Sequence, residues 1–322
     1  MRAISPHLSL FLSSRLVIVA ALSICACAAH AATYYLTVAG LGGEPDYEQR
    51  FGMWAGEIEG VLKGSGGDAK IETLKGASAT RAQVRSALEN IAHEAKPQDA
   101  LVVMLIGHGT FDGFDYKINL PGPDLSGVEL ASLLDRIPAK RQLIVNMTSA
   151  SGGALDALRK ENRVVITATK TGTEHNATVF PRFWVEALRD PAADTDKNET
   201  ISALEAFHYA QHKIQEYYES QKRLATEHAM LEDTGKAPIA RATPPEPNEG
   251  LRAAAFPLVR LGAAKSLVND PEKRKLFDKK DQLEQQIDEL KYNKATLTAD
   301  EYKKQLTALL LELAKTQQEM DK

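Results

Sequence analysis

Beyond position 27 this 322-residue chain has no cysteine, because its two, Cys25 and Cys27, lie near the N-terminus. The remaining length can hold no disulfide, no thiolate metal site and no cysteine nucleophile. The 291 residues after Ala31 are enough to bury a core without such staples. Long apolar runs are also scarce. LVIVAALSICACAA covers 14 residues, short of the roughly 20 that a spanning helix needs, so no transmembrane span is expected. Arg2 and Arg15 supply positive charge ahead of it, and Ala29-His30-Ala31 ends it in a small-x-small pattern. Residues 1–31 are therefore expected to be a signal peptide, cleaved before Ala32, with export to the periplasm or the exterior. Lipid attachment at Cys27, preceded by Ile24 and Ala26, is the alternative. Basic charge is not in excess. Without Arg2 and Arg15, 37 basic side chains face 43 acidic ones, a net charge near −6, which speaks against nucleic acid as a partner.

What is present is an alternation of elements. TYYLTVA (33–39), AKIETLK, the continuous apolar run ALVVMLIG (100–107), RQLIVNM and RVVITAT (163–169) read as strands. Between them lie helical patterns. In YEQRFGMWAGEIEGVL the residues Phe51, Trp54, Ile58 and Leu62 share a face. SATRAQVRSALENIAHEA has Ser78 or Thr80 as N-cap, and SGVELASLLDRI and GALDALRK follow. DGFDYKINLPGPD fits a short hairpin. The expected fold class is α/β, a mostly parallel sheet with helices on both sides and ligands at the strand ends. After Thr169 the pattern turns helical, in FPRFWVEALRD and then SALEAFHYAQHKIQEYYESQKRLATEHAML.

Two loops carry candidate chemistry. LVVMLIGHGTFDG ends a buried strand with His108 between glycines, and LIVNMTSASGG ends the next with Ser149. If those strands are neighbours, His108 takes a proton from Ser149 Oγ while N–H groups near Gly109 and Ser149 hold an oxyanion. The plainer use of the same residues is a tight turn, with Ser149 or Ser151 capping the following helix.

The order strand, GHG, hairpin and helix, strand, small-residue loop, strand resembles the legumain-type peptidases (family C13), which have the caspase-like α/β fold. By that resemblance His108 and Gly109 match the family's catalytic HG, Ser149 its catalytic cysteine, and Ser151 and Gly152 its SG, at the family's separation of about forty residues. The likeness spans residues 33–190 and implies a peptidase or a degenerate relative with a peptide or protein ligand. Two positions depart from it. Ser149 stands in place of the thiol, and serine needs a stronger base and an orienting group, for which Asp112 and Asp115 are the nearest candidates. Met147 replaces an acidic residue tied to asparagine selection, so that specificity is not carried over. Glu174, His175 and Asn176, in ATKTGTEHNATVF, fall where the resemblance implies part of the substrate cleft.

DTDKNETISALE (194–205) fits a twelve-residue EF-hand loop. Asp194, Asp196, Asn198, Thr200, Ser202 and Glu205 stand at positions 1, 3, 5, 7, 9 and 12, with Ile201 as the apolar anchor. Ca²⁺ is the expected cofactor. Glu199 stands where glycine normally allows a left-handed turn, at a cost of about 1–2 kcal/mol. A lone loop of this kind suits a structural role or pairing across a dimer. His208 and His212 have i, i+4 spacing but lack the glutamate of a hydrolytic zinc motif, and read as a solvated face. His228 and Asp233 receive no role.

The expected organisation is a signal peptide at 1–31, an α/β domain at 32–233, a proline-rich linker at 234–270 and a helical hairpin at 271–322. In the hairpin Leu276, Leu283, Ile287 and Leu290 form one stripe. Tyr302, Leu306, Leu309 and Leu313 form another, and Thr298 with Glu301 makes a capping box. Self-association through these helices is expected. Three functions remain open: a degenerate non-cleaving peptidase relative, a serine hydrolase using Ser149 and His108, and a calcium-stabilised interaction scaffold.

Overall fold

A computed structural model describes residues 31–65, 68–235, 250–262, 265 and 271–320. The expected leader and residues 236–249 lie outside these. Five apolar segments form parallel strands β1 (Thr33–Ala39), β2 (Ala69–Leu74), β3 (Ala100–Ile106), β7 (Arg141–Asn146) and β8 (Arg163–Thr167). Their order is β2-β1-β3-β7-β8, and antiparallel β10 (Met230–Glu232) adds an edge beyond β8. Between β3 and β7 a small antiparallel sheet of β4 (Gly109–Phe111), β5 (Tyr116–Ile118) and β6 (Leu125–Ser126) occupies the expected hairpin.

The unbroken apolar run of β3 has a direct cause. Ala100, Val102, Met104 and Ile106 pack into one core, while Leu101, Val103 and Leu105 pack into the other. A strand covered on both faces needs apolar side chains at every position. The first core lies under α1 (Pro45–Gly64), α5 (Phe180–Ala187) and α6 (Ala203–Ser220). The second lies under α2 (Arg81–Glu94), α3 (Gly127–Leu134) and short α4 (Leu155–Leu158). Phe51, Trp54, Ile58 and Leu62 are the buried face of α1, and Thr80 caps α2 by accepting from the Gln83 N–H. Among the described residues no helix is long and apolar enough to cross a membrane.

Two expectations change. The long helix expected to run through Leu231 stops at Ser220, and its end becomes a loop and β10. Leu231 opposite Ile166 seals the sheet edge, which a helix there would leave bare. The linker expected over 234–270 is, at 250–260, part of the body. Here α7 (Leu251–Ala254) and β11 (Pro257–Arg260) bury Ala253, Phe256, Leu258 and Val259 in the first core. The hairpin forms from helices Pro271–Tyr292 and Ala299–Met320, with Leu283, Ile287 and Leu290 buried and Thr298 and Glu301 capping reciprocally. Its first helix is seated on the body, where Arg274 pairs with Asp68 at 3.0 Å and the Arg260 guanidinium lies over the Phe277 ring.

Candidate functional site

The carboxyl ends of β1, β3, β7 and β8 open on one edge. Because β10 runs antiparallel, its start at Ala229–Met230 reaches the same edge beside Thr167. His108 after β3 and Ser149 after β7 therefore lie on adjacent strands, the condition that a His–Ser pair required.

Their side chains are not joined. The Asn119 N–H to His108 carbonyl bond places Gly109 at a position of β4 whose own N–H and C=O turn away from β5. Ser149 fills that space. Its Oγ accepts from the Gly109 N–H at 3.0 Å and donates to the Gly109 carbonyl at 3.1 Å, 2% exposed. A methyl on Gly109 would lie 2.5 Å from the Ser149 carbonyl oxygen, so only glycine permits this approach. The His108 ring instead lies edge-on to Tyr47 (4.8 Å) and Phe51 (5.2 Å) of α1. Burial holds its pKa below the ordinary histidine value. Arg50 adds to that shift, and a hydrogen bond to the Gly42 backbone opposes it. His108 is thus a neutral imidazole at pH 7, but among the described residues no hydrogen bond links it to Ser149. The Gly109 N–H expected to hold an oxyanion is already used.

The rest of the loop is equally constrained. Thr148 Oγ1 donates to Asn146 Oδ1 at 2.9 Å and shares a 2.5 Å bond with the Tyr116 hydroxyl, whose pKa burial raises to about 12. Ser151 Oγ accepts from the Thr169 N–H, and Thr169 Oγ1 accepts from the Gly152 N–H. Ala150 is left-handed at φ 55°. A non-glycine residue there costs on the order of 1–3 kcal/mol and persists only where its surroundings hold it. Ala150 is held by its N–H on the Glu174 carbonyl at 2.8 Å and its own carbonyl on the Gly153 N–H at 2.9 Å.

Neither proposed orienting acid reaches His108 through a hydrogen bond. Asp112 accepts from the N–H groups of Phe114 and Asp115 in the β4–β5 turn, which lowers its pKa. Of the three cleft candidates, Glu174 is half-buried and His175 and Asn176 are exposed. The Glu174 carboxylate meets His228 Nδ1 at 2.7 Å and also accepts from the Lys170 and His228 N–H groups. His228, given no role by the sequence, is thus fixed at the same edge. Asp233, likewise unassigned, accepts from the N–H groups of Gly250, Arg252 and Ala253 and seats α7. Glu227 was not among the residues the sequence singled out. It is 2% exposed, accepts from Val179 and Phe180 at the start of α5 and from the Tyr218 hydroxyl, and burial raises its pKa to about 7. Its only sequence signal was a carboxylate inside an apparent helix.

The EF-hand-like segment curls as its spacing requires. The N–H groups of Glu199, Asn198 and Thr200 bond to Asp194 Oδ2, Asp196 Oδ1 and Asn198 Oδ1. Lys197 and Glu199 are left-handed at φ 61° and 64°, so Glu199 adopts the conformation usually left to glycine. Carboxylate oxygens of Asp194, Asp196 and Glu205 lie within 4.8 Å of one another. Two calcium–oxygen bonds of about 2.4 Å span that distance, so the donor set fits the ion in size and hardness. Glu205 also forms a capping box with Ser202 at the start of α6. The short strand β9 (Thr200–Ser202) pairs with β11 of the same chain, Ile201 opposite Val259. Among the described residues this is the one cluster of three or more candidate metal ligands, and His208 with His212 forms none.

No family model and no curated protein matches the sequence. Solved structures similar to it include a Geobacter sulfurreducens protein, at 13% identity and TM-score 0.43 over 65% of this chain and 95% of that one. The Drosophila initiator caspase Dronc is similar at 8% identity and TM-score 0.42, over 63% of this chain and 80% of its own. Caspase-1 from Spodoptera frugiperda is similar at 12% and 0.42, over 63% and 88%. The mostly parallel, helix-flanked sheet thus has caspases among its structural neighbours. The roles of individual residues follow from the chain's own geometry.

Proposed function

We propose that this chain is an exported, non-cleaving relative of the legumain-type peptidases that binds peptide at the carboxyl edge of its sheet. One observation carries the reading: both hydrogen-bonding roles of the Ser149 hydroxyl are taken by the Gly109 backbone. A serine nucleophile must give its proton to a base within about 3 Å, and this one gives it to a carbonyl. The edge keeps His108 with no bond to the Ser149 hydroxyl, and a loop held at Ala150 by backbone hydrogen bonds, an arrangement that suits holding an extended ligand.

Calcium in the 194–205 loop is the second part of the proposal. Asp194, Asp196, Asn198 and Glu205 would bind through side-chain oxygens and Thr200 through its carbonyl, with Ser202 at the ninth position. The ion's contribution is structural, cancelling the repulsion of the gathered carboxylates and fixing the start of α6.

A fluorophosphonate probe is expected to leave the protein unlabelled, and a random peptide pool incubated with it should yield bound peptides of intact length. Stoichiometric labelling abolished by Ser149→Ala would replace this reading with the serine-hydrolase one. Recovery of no peptide, with calcium-dependent stability retained, would favour the interaction scaffold.

A further inference from the structure

Residues of α1, of α5 with its flanks, and Tyr217 of α6 line a cleft of about 390 Å³. Thr178 and Val179 also line it, and the Thr178 hydroxyl donates to the Met147 carbonyl at 2.6 Å, so the cleft abuts the Ser149 loop. Its charges are uneven. Arg189 pairs with Glu57 at 3.5 Å, and Glu186 accepts from the Tyr209 hydroxyl at 2.9 Å. Arg50 and Arg182 make no ion pair among the described residues. Each guanidinium carbon instead lies over an aromatic ring, Arg50 over Tyr47 at 4.5 Å and Arg182 over Phe183 at 5.1 Å. Arg50 Nε donates to the Asp46 carbonyl one turn back at 3.2 Å, which leaves its two terminal amino groups to a ligand. A guanidinium without a carboxylate partner has N–H donors in the fork geometry that matches a planar oxyanion.

We infer that this cleft takes the C-terminal carboxylate of a peptide together with an apolar last side chain. The inference rests on the peptide-binding reading above and gives it a ligand class. Three guanidiniums against two carboxylates leave one positive charge in the lining, which matches a monoanionic carboxylate better than a phosphate dianion set beside Glu57 and Glu186. Met53, half exposed, and Trp54 supply an apolar wall. The volume is near the lower end of small-ligand pockets, about 300–1,000 Å³, and so suits a chain end better than a threaded segment.

The test uses titration calorimetry and Trp54 fluorescence with N-acetyl-alanyl-leucine as the free acid and as the amide. The free acid should bind, and the amide should bind at least tenfold more weakly. Arg50→Gln and Arg182→Gln, both at exposed positions, should each weaken the acid at least tenfold, leave the amide unchanged and keep the wild-type melting temperature. Equal binding of acid and amide, wild-type affinity in both variants, or no binding at 10 mM acid would overturn the inference. N-acetyl-glutamyl-alanine amide binding as well as the free acid would overturn its chain-end part. Failure of the peptide-binding reading is separable from this, because it shows as an empty or cleaved peptide pool whatever N-acetyl-alanyl-leucine does.

Discussion

Ser149→Ala separates a structural hydroxyl from a catalytic one by the sign of its effect on stability. The substitution deletes two hydrogen bonds, at 3.0 and 3.1 Å, and leaves the Gly109 N–H and C=O without the group they face. The site is 2% exposed, and a missing hydroxyl is too small a void to admit water. Each unsatisfied buried group costs about 1–3 kcal/mol. With partial relaxation, we expect a loss of about 2–4 kcal/mol. At roughly 2–4 °C per kcal/mol for a domain of this size, the melting temperature should fall by about 5–15 °C. Urea unfolding should show a lower midpoint at unchanged m value, which marks a change in stability rather than in compactness. Replacing a catalytic residue is commonly neutral or stabilising. A change within about 0.5 kcal/mol, or a gain, would therefore refute the lock and return Ser149 to the hydrolase reading.

Glu227 should make stability depend on pH. Its pKa is about 7 when folded and about 4.3 when unfolded, so protonation favours the fold. The stabilisation is present in acid and is lost as pH rises to 7, by about 3 kcal/mol; Glu227→Gln should flatten that slope in urea titrations between pH 4.5 and 8. Phe256→Ala removes a side chain 3% exposed in the first core and should cost about 3–5 kcal/mol. A change below about 0.5 kcal/mol would restore residues 250–260 to linker status. Calcium at a hundredfold excess over its Kd should add about 2.7 kcal/mol by linkage, measured as a rise in melting temperature over chelator that Glu205→Ala abolishes. Identical melts in calcium and chelator would remove the ion from the proposal.

Much of the fold was legible because its signals are local and periodic. The strand β3 is apolar at every position since both faces are covered, and α1 displays Phe51, Trp54, Ile58 and Leu62 on one stripe. The Thr80 and Thr298 caps were readable for the same reason, as was the curl of the 194–205 loop. By contrast, β10 and β11 are three and four residues long. They are strands only because β8 and β9 offer them backbone partners, and no short peptide carries that information.

The sequence by itself determined the alternation of the five parallel strands with their helices, the placing of His108 and Ser149 just after strands, and the spacing of the acidic loop. Each is set by side-chain period or by short-range geometry along one stretch of chain. Tertiary structure alone decided what Ser149 Oγ touches, which way His108 faces, and that Glu174 meets His228, 54 residues away. Those contacts depend on strand register and on how closely Gly109 lets the loop approach. A hydroxyl fixed at about 3 Å from one backbone unit is no longer free to meet the imidazole on the next strand.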